Sequence, residues 1–226
     1  MKRSYGQACA VAKALDIVGN RWSLLIVREL LVGPRRFSDL MDALSGIGTN
    51  LLSQRLRELQ EAGVVGKRTL PPPAGSVVYE LSERGRDLAP AVLDLAHWGV
   101  PLLEAPKRGE EFRTQWLVLA GQAAFRPEAA QDAEISCELR ASETDASYFR
   151  IVDGRFEISE GPLAEPDLVL AGKPSSLIEL LAGQVSPAKA LANGIEIKGR
   201  RSTLKALLET LEFPAGRTPP APRRGR

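Results

Sequence analysis

The chain has 226 residues, 44% of them hydrophobic, and 30 Lys/Arg against 28 Asp/Glu, so it can bury sizeable cores and has room for one large or two ordinary domains. Its net charge of +2 is unevenly spread: residues 1–105 carry 13 Lys/Arg against 11 Asp/Glu, residues 106–213 carry 13 against 17, and the last thirteen hold four Arg and no acid, so only the two ends favour a polyanion. Two cysteines, Cys9 and Cys137, fall in different expected domains, which excludes a disulfide framework and points to a reducing, cytoplasmic compartment; Asp16 and Arg21 break the N-terminal apolar run before it reaches the length of a signal sequence or membrane span.

Ala8 to Val18 has Val11, Leu15 and Val18 at helical spacing and closes on Gly19-Asn20. Arg21 opens a second helix whose broad apolar face holds Trp22, Leu25, Ile26, Leu30 and Leu31, ended by Gly33-Pro34. The stretch Arg36 to Gly63 reads as two short helices around a turn at Gly46 and Gly48, with Thr49 or Asn50 capping the second. On that second helix Leu52, Leu56 and Leu59 face a core, while Asn50, Ser53, Gln54, Arg57 and Glu61 share roughly a 100° arc. Four of those five carry amide, hydroxyl or guanidinium groups able to bond base edges or phosphates. Val64 to Arg68 and Val77 to Leu81 read as a hairpin with a Pro/Gly-rich tip at Pro71 to Ser76, with Lys67 and Arg68 at its base placed for a phosphate or the minor groove. The sum is a winged helix-turn-helix. Ser82 and Glu83 then cap a long helix to about Leu103, on which Leu88, Val92, Leu95, Gly99 and Leu102 repeat as in a two-helix seam. His97, the only histidine, reads as structural or exposed.

The run CAVAKALDIVGNRWSLLIVRELLVGPRRFSDLMDALSGIGTNLLSQRLRELQEAGVV, Cys9 to Val65, resembles the HxlR-type family of bacterial winged-helix transcription regulators, and the likeness continues through YELSERGRDLAPAV. The resemblance implies a homodimer made by the terminal helices, with a reading helix Asn50 to Ala62 in the major groove of double-stranded DNA. It makes Asn50, Ser53, Gln54 and Arg57 the base-side contacts and sets Arg35 and Arg36 near phosphates. Cys9 stands where several family members hold a thiol that senses oxidants or electrophiles; Lys2, Arg3 and Lys13 are close in sequence and a helix N-terminus lies beside it. The other reading of Cys9 is a small hydrophobe at a dimer seam.

Pro101 to Gly109 reads as a linker, so the expected domains are 1–105 and 110–213, followed by a disordered Arg/Pro-rich tail, 214–226. Phe112 to Phe125 forms a helix with Trp116 and Leu119 on one face. In EISCELR, Ile135, Cys137 and Leu139 point inward while Ser136, Glu138 and Arg140 point out, which makes Cys137 a core thiol. Phe149 and Ile151 precede a turn at Asp153-Gly154, and Phe156 and Ile158 follow it. A strand Asp167 to Ala171, helices Pro174 to Ala182 and Ser186 to Asn193, a strand Ile195 to Lys198 and a last helix with Leu204, Leu207, Leu208 and Leu211 complete an antiparallel-sheet α+β domain.

The segment DLVLAGKPSSLIELLAGQVSPAKALANGIEIKGRRSTLKALLETL resembles the C-terminal half of the sterol-carrier-protein-like fold, most specifically in LLAGQVSPAKALANGIEIKG. That resemblance implies an apolar small-molecule site between sheet and helices; Phe149, Ile151, Leu177, Ile178 and Leu181 are its candidate lining, or else filled core. Here Arg200 follows Gly199 where members often carry an acid, so the capping of the last helix differs. An enzyme is not expected: there is one histidine, no G-x-S-x-G elbow, no phosphate-cradling loop, no metal-ligand cluster and no cofactor motif. The reading is an α+β, two-domain, DNA-binding homodimer modulated by an apolar effector, without a membrane partner. The alternative is an apolar-ligand carrier that uses its first domain as a dimerisation scaffold.

Overall fold

The structure, a computed structural model, describes residues 4–73, 75–103, 109–159 and 162–214. Lys2, Arg3, most of the expected linker and the Arg-rich tail beyond Pro214 lie outside the described residues. The chain divides into two compact units between Val92 and Leu93.

The first unit runs α1 (Ala10–Val18), α2 (Ser23–Leu31), α3 (Phe37–Ala43), α4 (Thr49–Glu61), then a two-stranded antiparallel hairpin, β1 (Val65–Thr69) and β2 (Val77–Leu81). Ile26, Leu30, Leu40, Leu44, Leu52, Leu56 and Leu59 meet in one core with Val65 and Leu81 from the hairpin. Each such side chain contributes roughly 1.5–3 kcal/mol by leaving water. The first helix departs from expectation, because Val18 is buried while Val11 and Leu15 stay exposed. On α2, Leu25 is likewise exposed, so the expected apolar face is wider than the core it meets. The cap of α4 is Gly48, in extended conformation with no side-chain acceptor, and not Thr49 or Asn50; the Leu52 N–H donates to the Gly48 carbonyl at 3.0 Å, so the helix begins one turn position earlier.

The long helix expected from Ser82 to Leu103 is broken. Ser82 caps a single turn, α5 (Glu83–Arg86), by accepting the Gly85 N–H at 3.0 Å, and α6 (Ala89–Gly99) starts afresh. Pro90 has no N–H for the Arg86 carbonyl and its ring crowds that oxygen, so one continuous helix cannot pass this point. Gly85 is needed here, since a Cβ would sit 2.1 Å from the Val64 carbonyl oxygen. Leu88 and Val92 of the expected seam pack in the first core, whereas Leu95 and Leu102 are exposed.

The second unit contains α7 (Thr114–Ala124), β3 (Ile135–Arg140), β4 (Ala146–Val152), β5 (Arg155–Ser159), β6 (Leu168–Ala171), α8 (Pro174–Leu181), α9 (Pro187–Ala192), β7 (Glu196–Gly199) and α10 (Arg201–Glu209). The strands order β5-β4-β3-β6-β7. The sheet is mixed, not wholly antiparallel, because β6 enters parallel to β3 with Cys137 opposite Leu168 and Leu139 opposite Leu170. Asp153 and Gly154, with φ of 49° and 66°, form the tight β4–β5 turn that the Asp-Gly pair predicts. Strand alternation sends Ile135, Cys137, Leu139, Phe149 and Ile151 inward to meet Leu117, Leu177, Leu181, Leu204 and Leu207 from the helices. Phe149 stacks on Phe156 at 4.6 Å between centroids. Glu138 points to the other face as expected but is only 5% exposed, where its carboxylate accepts from the Arg140 Nε at 2.6 Å. An ion pair thus takes the place of solvent.

Candidate nucleic-acid interface

The α4 face is built by its opposite side. With Leu52, Leu56 and Leu59 fixed in the core, Asn50, Gln54, Arg57 and Glu61 are exposed and Ser53 is half-buried beside them. Gln54 donates to the Glu58 carboxylate at 2.9 Å, and Arg55 pairs with the same carboxylate, which orders the middle of the helix. Arg57 has no hydrogen-bond or ion-pair partner among the described residues. Its guanidinium therefore has no bond to another described residue to give up when it meets a phosphate or a guanine edge.

Arg36 caps α3, its backbone N–H bonded to Asp39 at 2.9 Å, and its side chain is exposed. Arg35 bridges to the wing: its N–H donates to the Tyr79 carbonyl at 2.9 Å and its carbonyl accepts from the Tyr79 N–H at 2.7 Å. The wing cations have different partners. The Lys67 ammonium lies 4.9 Å from the centre of the Tyr79 ring, while Arg68 Nε donates to the Glu80 carboxylate at 2.7 Å. Tyr79 and Glu80 were not singled out by sequence; the signal that finds them is the hairpin register, Lys67 opposite Tyr79 and Gly66 opposite Glu80.

Cys9 is exposed at the N-cap of α1. The backbone N–H groups of Ala12, first, and Val11 favour its thiolate and hold its pKa below the ordinary thiol value. Of the neighbours expected to help, Lys2 and Arg3 lie outside the described residues. Upstream, Asp16 accepts from the Tyr5 N–H at 2.8 Å and the Ser4 hydroxyl at 2.9 Å, bonds that lower its own pKa and tie residues 4–5 to α1. Cys137 contrasts with Cys9, since complete burial pushes its thiol pKa far up.

Phe149, Ile151, Leu177 and Leu181 come together in the second core, with Ile178 partly buried against it. Arg200 caps α10 without a side-chain bond, and its charge helps lower the pKa of Asp167, after the larger effect of the Ser136 hydroxyl and N–H. His97 Nδ1 lies 3.2 Å from the Ala123 carbonyl oxygen, a structural contact. Among the described residues no cluster of three His, Cys, Asp or Glu could hold a metal, and no helix is long and apolar enough to cross a membrane.

Among solved structures, the redox regulator HypR in its oxidized form shares 32% identity, with 40% of this chain and 94% of that chain covered at a TM-score of 0.38. The chain is 36% identical over 99 residues to an uncharacterized HTH-type transcriptional regulator, sll1512, of Synechocystis, covering 44% of this chain and 73% of that protein. It is 37% identical over 92 residues to YvaP, another uncharacterized HTH-type transcriptional regulator, of Bacillus subtilis, covering 41% and 85%. Residues 17–107, which span α2 to α6 and the wing, match the family described as HxlR-like helix-turn-helix. The match of residues 17–107, together with the identities to sll1512 and YvaP over most of their length, leads to one conclusion: the chain belongs to the HxlR-like helix-turn-helix family.

Proposed function

We propose that this chain controls transcription by binding double-stranded DNA as a homodimer, with occupancy set by an apolar small molecule in the second unit and by modification of Cys9. It belongs with DNA-binding regulators and not with enzymes. The observation that carries the reading is the exposed Asn50, Gln54 and Arg57 face of α4, held outward by Leu52, Leu56 and Leu59. Asn50, Ser53, Gln54 and Arg57 read base edges, and Arg35, Arg36, Lys67 and Arg68 meet phosphates. Dimerisation is supported by apolar side chains left in water on α1 and α6: Val11, Leu15, Leu95 and Trp98, the last 72% exposed. A second copy that covers the α1 pair, Val11 and Leu15, supplies the second half-site reader.

In this reading the domains are 1–105 and 110–213, the second a sterol-carrier-like module in which Phe149, Ile151, Leu177, Ile178 and Leu181 line the effector site. An effector that favours one arrangement of the dimer shifts DNA affinity by its differential affinity for the two. An oxidant or electrophile reacting at the exposed Cys9 thiolate acts on the same equilibrium.

Fluorescence anisotropy with DNA from upstream of its own gene and with a scrambled control, across several salt concentrations, tests the reader. Salt-sensitive preference for the upstream DNA is expected; equal binding of both, only at low salt, rejects it. Repeating the titration with a long-chain fatty acid, and with mild oxidant on wild type and Cys9→Ser, tests the two controls. An oxidant response that survives in Cys9→Ser removes the thiol switch.

A further inference from the structure

The two cations of the wing are adjacent in sequence yet face opposite ways. Residues directly opposite in an antiparallel pair share a face. Lys67 pairs with Tyr79, so the two lie on one face, and the backbone bridge from Arg35 to Tyr79 adds a third member to that row. Arg68 and Glu80 lie on the other face, displaced diagonally, where Arg68 is already held by a carboxylate at 2.7 Å. A phosphate must displace Glu80 to take Arg68, but it needs to displace no anion from Lys67, whose described partner is the Tyr79 ring. The ring attracts the ammonium through its negative face without neutralising it. Tyr79 is itself 8% exposed and is anchored by both Arg35 backbone bonds, so it is a fixed platform under a flexible four-carbon side chain.

We propose that Tyr79 is a positioning residue for DNA binding: its ring holds the Lys67 ammonium in place for a phosphate, in one row with Arg35, while the Arg68 charge is largely spent on Glu80. This rests on the DNA-reader function above and deepens it by ranking the wing contacts. A phosphate contact made through Lys67 gives a defined signature, a loss of about 0.9 in the slope of log K against log salt when it is removed.

The test is a double-mutant cycle on the full chain, read as affinity and salt slope for its upstream DNA. Lys67→Met should lower the slope by about 0.9 and weaken binding about three- to tenfold. Tyr79→Leu keeps an apolar side chain and the backbone bridge but no ring, and should weaken binding in the same direction. In the Lys67→Met background it should then add nothing. Tyr79→Phe, which retains the ring, should recover the wild-type slope. Additive losses for Lys67→Met and Tyr79→Leu, or a Tyr79→Phe variant as impaired as Tyr79→Leu, overturn the proposal, because they describe a tyrosine that serves only the core. If Tyr79→Leu does not fold, the exposed Lys67→Met and the conservative Tyr79→Phe still decide: an unchanged slope in the first, or a lost one in the second, overturns it. Wild-type protein with no salt-sensitive DNA preference overturns the reader reading and this proposal together, whereas a wild-type preference with an unchanged Lys67→Met slope overturns this proposal alone.

Discussion

The two units hold their candidate chemistry in opposite places. In the first, Asn50, Gln54 and Arg57 stand in water on the back of a helix whose other side makes the core. In the second, Phe149, Ile151, Leu177 and Leu181 are the core. A surface reader can exchange its contacting side chains without disturbing what folds it. An apolar site built from core residues cannot, because the groups that would take the ligand are those that hold the sheet to its helices.

The sharpest way to break this comparison is Phe149→Ala, which removes the ring stacked on Phe156 and should destabilise the second unit by about 3–5 kcal/mol. Urea unfolding should show the loss, while DNA affinity stays near wild type; a parallel collapse of DNA binding would mean the units do not fold independently. Arg57→Ala is the opposite case. It should cost about 1–3 kcal/mol of DNA binding by anisotropy, with no change in the unfolding midpoint, since Arg57 is exposed. A lowered midpoint would show that the reading face also supports the fold.

The two thiols sharpen the contrast at a smaller scale. Iodoacetamide at neutral pH should label Cys9 in the folded chain and reach Cys137 only when the second unit unfolds, as peptide mapping by mass spectrometry would show. The smallest effect belongs to Asp167, whose pKa is lowered mainly by the Ser136 hydroxyl and N–H. A carboxylate with a depressed native pKa contributes stability that is full above about pH 4 and is lost as pH falls through the native value. Unfolding midpoints measured downward from neutral pH should therefore drop less steeply at the acid end in Asp167→Asn than in wild type.

Much of this architecture was legible in the residues. The strand Val77–Leu81, the Asp153-Gly154 turn, the leucine face of α4 and the inward set Ile135, Cys137 and Leu139 follow from spacing of two or about 3.6 residues. The break before α6 has a signal in Pro90, which a reading of the repeat from Leu88 to Leu102 as one long helix leaves out of account. The burial of Glu138 was not legible, because alternation reports which face a side chain takes and not whether Arg140 folds over it. In the candidate interface the exposed arc of α4 was foreseen, while Tyr79 and Glu80 were missed because their partners depend on hairpin register.

By itself the sequence determined most of the helices, the wing hairpin, the Asp153-Gly154 turn and the buried leucine face of α4, since these depend on residue types a few positions apart. Only the tertiary structure decided that β6 lies parallel to β3, that Val11 and Leu15 remain exposed on the single chain, and that Lys67 faces Tyr79 while Arg68 is tied to Glu80. Each of these is a choice of partner across the chain. Local periodicity is indifferent to that choice, and it is settled by which pairing closes the loops, fills the core and leaves the fewest polar groups without a bond.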